Sequence, residues 1–200
     1  MLITLRGLRC LQTAACVVYD SLVNTELLQH APAGAELIYV GKRSGNRNVT
    51  QEEINALLVQ KARAGKLVAR LKGGDPFIFG RGGEEAEALA KAGILFEIVP
   101  GITSGYAAPA YAGIPVTHRD FSASVAFITG HEDPAKTESL IAWNKIATGM
   151  GTLVFFMGVA NLPEIVDNLV HYGRSPDTPI ALIQWGTYPD QEVITGTLAT

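Results

Sequence analysis

Cysteine is scarce in this sequence: Cys10 and Cys16 are the only two in 200 residues, six positions apart among apolar neighbours. That spacing fits neither a CxxC redox pair nor a zinc ligand set, so the two read as buried free thiols in a reducing compartment. Charge of one sign is also lacking, since 16 Lys and Arg face 19 Asp and Glu for a formal net charge of −3. A nucleic-acid binder needs cations in excess to neutralise phosphates, and no chain-wide basic footprint exists here. Residues 1–7 lack the basic start, apolar core and cleavage site of a secretory leader, so a cytoplasmic protein is expected. The four histidines, His30, His118, His131 and His171, have no metal-ligand spacing, and no metal is expected. Residues 98–117 carry no charge over a length that could span a bilayer. Pro100, Pro109 and Pro115 would leave backbone groups unpaired in lipid, so this run reads as a buried turn, helix and turn.

What is present is an alternation of short β-rich runs with amphipathic stretches, at 48% hydrophobic residues. Strands are expected at residues 16–19, 37–40, 67–71, 96–99, 125–129, 153–157 and 180–184, several of them continuously apolar as in sheets covered on both faces. Helices are expected at 2–13, 51–64, 84–92 and 162–171. The second has Thr50 as N-cap, Glu53 completing a capping box and Gly65 as its stop. The pattern is that of an α/β protein with a largely parallel sheet. A polar patch after Val116 puts the expected domain boundary between residues 1–119 and 120–200. The helix at 2–13 has no strand before it, and residues 192–200 read as a strand running into a turn. The expectation is of two α/β domains cut at both ends, the first without its opening strand.

The densest signal runs from Arg70 to Glu85, Arg-Leu-Lys-Gly-Gly-Asp-Pro-Phe-Ile-Phe-Gly-Arg-Gly-Gly-Glu-Glu. It leaves a strand and enters a helix, the position where open α/β sheets bind ligands. Gly73 and Gly74 clear side chains from backbone that a ligand can touch, and Asp75 offers acceptors for an amine or a ribose hydroxyl. A phosphate loop, GxxxxGK[ST], is absent. So are the GxGxxG of a dinucleotide-binding oxidoreductase and the GxSxG of a hydrolase.

The stretch from Gly73 to Glu85 resembles the signature loop of the tetrapyrrole methylase family, in its uroporphyrinogen-III C-methyltransferase branch. Further blocks resemble the family in order: residues 17–23, 40–45, 51–55, 99–104, 108–115, 117–119 and 129–131. The resemblance implies two α/β domains with S-adenosylmethionine in the cleft between them, and a homodimer. It also implies that Gly73, Gly74, Asp75, Ile78, Thr103 and Ser104 contact the cofactor from the first domain, and Met157 and Gly186 from the second. Asp20 and Lys42 match the family's proton acceptor and proton donor. Arg43 and Arg81, in matching blocks, are expected to hold carboxylates of uroporphyrinogen III, for which guanidinium groups are suited. From the residues alone, Asp20 reads equally as a turn cap after a strand. The family opens with a strand and a loop that touches the cofactor, ahead of residue 1 of this sequence. That leaves an alternative beside the enzyme: an inactive fragment that at most binds tetrapyrrole or a partner subunit.

Overall fold

The computed structural model describes residues 2–41, 49–132 and 139–200. The chain divides into two compact units, Met1–Thr103 and Ser104–Thr200. The division falls ahead of the boundary expected after Arg119, because the helix starting at Ser104 packs on a strand of the second unit.

In the first unit the Thr4 hydroxyl accepts the Gly7 N–H and opens α1 (Leu5–Thr13), later than the apolar spacing suggested. Three parallel strands follow, β1 (Cys16–Tyr19), β2 (Glu36–Tyr39) and β3 (Val68–Leu71), in the order β2-β1-β3. Successive side chains of the central strand point to opposite faces. Cys16 and Val18 therefore join Ile54 and Leu58 of α2 (Gln51–Arg63), while Val17 joins Leu11 and Ala14. The capping box of α2 is formed: the Thr50 hydroxyl accepts the Glu53 N–H, and the Glu53 carboxylate accepts the Thr50 N–H. Helix α3 (Gly82–Lys91) packs against α2.

Glu36 ties β2 to the end of α2 through Lys61 at 2.5 Å and Lys66 at 2.6 Å. Hydrogen bonds from Lys61 and then Lys66 hold its carboxyl below the ordinary value. A depressed carboxylate contributes stability above its unfolded pKa and loses it as pH falls through the folded one. Urea midpoints of Glu36→Gln and the parent should therefore differ slightly at neutral pH and converge in acid. A gap that persists in acid would mean that Glu36 acts by shape rather than charge.

Residues 96–99, expected as a strand, are irregular. Leu95 is 99% exposed and Phe96 44%, and no described strand pairs with the segment. An apolar run becomes a strand only where a neighbour completes its backbone hydrogen bonds. Side chains hold this one instead, through the Arg6–Glu97 ion pair at 2.6 Å and the Thr4 hydroxyl donating to the Pro100 carbonyl.

The second unit runs α4 (Ser104–Tyr111), β4 (Val125–Thr129), α5 (Trp143–Gly149), β5 (Thr152–Phe156), α6 (Leu162–His171), β6 (Pro179–Gln184) and β7 (Glu192–Thr197). β4 and β5 pair in parallel, as expected, whereas β6 and β7 pair antiparallel. Their connection is too short for the crossover that parallel neighbours require. Ala147, Ile165, Leu169 and Leu198 form the core, packed by Trp143, Phe155 and Ile180. Arg174 donates to the Ala147 and Met150 carbonyls at the end of α5. Among the described residues no helix is long and apolar enough to cross a membrane, and the uncharged run at 98–117 contains α4.

Candidate active site

Parallel pairing brings the carboxyl ends of β1 and β3 to one edge, with Tyr19 level with Leu71. Asp20 and the glycine-rich loop therefore leave the sheet side by side. A Cβ on Gly73 would lie 2.6 Å from the Leu22 carbonyl oxygen, so the two turns touch through backbone. Asp20 accepts the Leu22 N–H on Oδ1 at 3.0 Å, which makes it a turn former as the residue-level reading allowed. Its Oδ2 accepts from Arg70 Nη2 at 2.8 Å, a contact local sequence cannot show.

Arg70 belongs to β3, and a cation in a covered strand must be paired. It is: Nε donates to Glu85 at 3.0 Å, and Nη1 to the Leu71 and Val18 carbonyls. Lys72 reaches the same Glu85 Oε1 at 3.1 Å. Burial, and then the Arg70 charge, push the Lys72 ammonium below its ordinary value against the pull of Glu85. Sequence reasoning assigned Arg70 no role. The available signal was its place inside an otherwise apolar strand.

Downstream, Gly74 adopts φ +71°, a left-handed conformation, and is exposed. Asp75 accepts the Phe77 N–H on Oδ1 at 2.8 Å and the Gly101 N–H on Oδ2 at 2.9 Å. The carboxylate thus clamps the glycine-rich loop to residues 100–103, and brings Gly74 and Asp75 beside the turn that leads to buried Thr103. Asp75→Ala leaves the half-buried Gly101 N–H unpaired, at about 1–3 kcal/mol. A lowered unfolding midpoint is expected. An unchanged midpoint would show the clamp to be redundant.

The loop closes tightly, the Gly82 N–H donating to the Pro76 carbonyl at 3.0 Å, with Ile78 half-buried in the turn. Phe79 at φ 51° and Arg81 at φ 55° are left-handed, a conformation that residues with side chains keep only where their surroundings enforce it. Arg81 pairs with Glu84 through Nε and Nη2, at 2.8 and 2.7 Å, and remains largely exposed. Lys42 and Arg43 lie outside the described residues.

In the second unit the small residues of α4 bring strand ends together. Gly105 lies so close to Phe156 that a Cβ would meet the ring at 2.6 Å, and one on Gly186 would meet the Ala108 Cβ at 2.4 Å. Ser104, Met157 and Gly186 therefore cluster about α4. Met157 follows β5 with φ 58°, and Trp185 and Thr187 flank Gly186 at φ 51° and 73°. Among the described residues no group of three His, Cys, Asp or Glu could hold a metal.

Bare glycine backbone beside a buried carboxylate–guanidinium pair stands at the carboxyl ends of the strands, where open α/β sheets bind ligands. The chain belongs to the tetrapyrrole methylase family, whose model, Tetrapyrrole (Corrin/Porphyrin) Methylases, matches residues 1–200. It is 57% identical over 199 residues to the uroporphyrinogen-III C-methyltransferase of Priestia megaterium, covering 100% of this chain and 83% of that protein. It is 54% identical over 198 residues to the S-adenosyl-L-methionine-dependent uroporphyrinogen III methyltransferase of Methanosarcina barkeri, covering 99% and 78%. Among solved structures, uroporphyrin-III C-methyl transferase from Thermus thermophilus complexed with S-adenyl homocysteine superposes with a TM-score of 0.82. That match has 38% identity and covers 98% of this chain and 82% of the other.

Proposed function

We propose that this chain transfers methyl groups from S-adenosylmethionine to two pyrrole carbons of uroporphyrinogen III in turn. The product is precorrin-2, formed by way of precorrin-1, at the entry to sirohaem and cobalamin. The observation that carries this reading is the loop Gly73–Glu85 standing against the turn that follows Asp20 at the sheet edge, in a chain 57% identical over 199 residues to a uroporphyrinogen-III C-methyltransferase.

Exposed Gly74 carries no side chain that would keep a ligand from the backbone, and Asp75 holds that backbone against residues 100–103. These features suit a small adenosyl ligand. We assign its contacts to Gly73, Gly74, Asp75, Ile78 and Thr103 in the first unit, and to Ser104, Met157 and Gly186 in the second. Their joint use by one ligand molecule in an interdomain cleft is part of the proposal. When bound, S-adenosylmethionine supplies an electrophilic methyl on a sulfonium. A pyrrole carbon of the substrate forms the new bond as the carbon–sulfur bond breaks, the electron pair staying on sulfur. In-line positioning supplies much of the acceleration. The tetrapyrrole is then neutralised by losing a proton, for which Asp20 is the acceptor. Lys42 is assigned as proton donor, and Arg43 and Arg81 as holders of substrate carboxylates. A cytoplasmic homodimer that uses no metal completes the proposal.

Calorimetry with S-adenosylhomocysteine and with NAD tests the ligand class. Binding of the first and not of the second is expected. The reverse would replace the methyltransferase with an oxidoreductase.

A further inference from the structure

We propose that Glu85 is a positioning residue for proton removal: it holds the Arg70 guanidinium in the orientation that fixes the Asp20 carboxylate. The proposal rests on the reading of Asp20 as proton acceptor.

A guanidinium is a rigid planar fork, so anchoring part of it sets the direction of the rest. Glu85 Oε1 takes Arg70 Nε at 3.0 Å, and the Leu71 carbonyl takes Nη1 at 2.9 Å. With both held, Nη2 faces Asp20 Oδ2 at 2.8 Å. The other Asp20 oxygen is fixed by the Leu22 N–H at 3.0 Å. The carboxylate cannot turn without breaking one of these bonds, and its aim toward a substrate proton is set from helix α3.

Burial makes this arrangement stringent. The side chains of Glu85, Lys72 and Arg70 are 6%, 10% and 12% exposed, so little water can replace a lost partner. Gln51 Nε2 of α2 donates to Glu85 Oε1 as well, at 3.4 Å, which steadies the carboxylate from a second helix. Asp20 and Glu85 balance the charges of Arg70 and Lys72. When Asp20 takes a proton, Glu85 is left as the one carboxylate of this group of four. It then keeps the guanidinium in place until the proton passes to solvent.

The test compares the parent with Asp20→Asn, Glu85→Gln and the double variant in kcat, KM and S-adenosylhomocysteine affinity. Glu85→Gln should lower kcat by roughly tenfold, within the range of coupling between contacting residues. KM and cofactor affinity should stay near those of the parent, because Glu85 bonds to Arg70, Lys72 and Gln51 rather than to the residues assigned to the ligands. Added to Asp20→Asn, it should lower kcat no further, because Glu85 acts through Asp20. Should Glu85→Gln not fold, Glu85→Asp keeps the charge, shortens the reach to Arg70 and should also reduce kcat more than it raises KM. Parent-like kcat in the Glu85 variant beside a depressed Asp20→Asn would overturn the positioning role alone. So would losses that multiply in the double variant, since these mark a general structural effect. Parent-like kcat in Asp20→Asn would remove the proton acceptor and the present proposal with it.

Discussion

Gly101→Ala is expected to weaken S-adenosylhomocysteine binding by roughly 10–100-fold while the chain stays folded. The added Cβ would stand 2.0 Å from the Gly74 carbonyl oxygen and 3.2 Å from the Asp75 Cα. Both are backbone atoms that cannot rotate away, so the glycine-rich loop and residues 100–103 must separate. Overpacking of this kind costs about 1–3 kcal/mol, and 1.4 kcal/mol is about tenfold in affinity. Separation also strains the Asp75 clamp on the Gly101 N–H. Gly83→Ala is the matched control. It lies in the same signature stretch, yet its Cβ would meet nothing within 4 Å. Calorimetry should show the control near the parent and Gly101→Ala far weaker, with circular dichroism alike for all three. Equal affinities would mean that the contact between these loops does not shape the cofactor site.

Asp20→Asn should lower turnover by about 10²-fold or more, the lower end of what general acid–base groups contribute. The substitution keeps the shape and an oxygen for the Leu22 N–H but removes the charge facing Arg70. Arg70 retains its ion pair with Glu85, so the unit should remain folded. Cofactor affinity should hardly change, because Asp20 bonds to neither Gly74 nor Asp75 in the contacts described. Unchanged turnover at saturating substrate would leave Asp20 as a turn former only.

Much of the first unit was legible because its signals are local. Val17 and Val18 mark a strand buried on both faces, Thr50 with Glu53 marks a helix start, and Gly73 to Glu85 marks a loop leaving a strand. What sequence reasoning missed depends on distant partners. Residues 96–99 have strand composition but no described neighbour to pair with. The ion cluster joins Asp20 to Arg70 across 50 positions and Arg70 to Glu85 across 15, in a fold where β1 and β3 are neighbours. No periodicity along the chain encodes that meeting. The unusual feature was visible, a cation in an apolar strand, but not its partners.

The reaction expected of this chain is methyl transfer to a tetrapyrrole carbon. Its most direct test incubates the chain anaerobically with uroporphyrinogen III and S-adenosylmethionine labelled in the methyl group, and follows the tetrapyrrole by mass spectrometry. A product carrying two labelled methyl groups is expected, with precorrin-1 carrying one along the way and S-adenosylhomocysteine released for each. Unlabelled uroporphyrinogen III recovered from a folded chain that binds S-adenosylhomocysteine would contradict it.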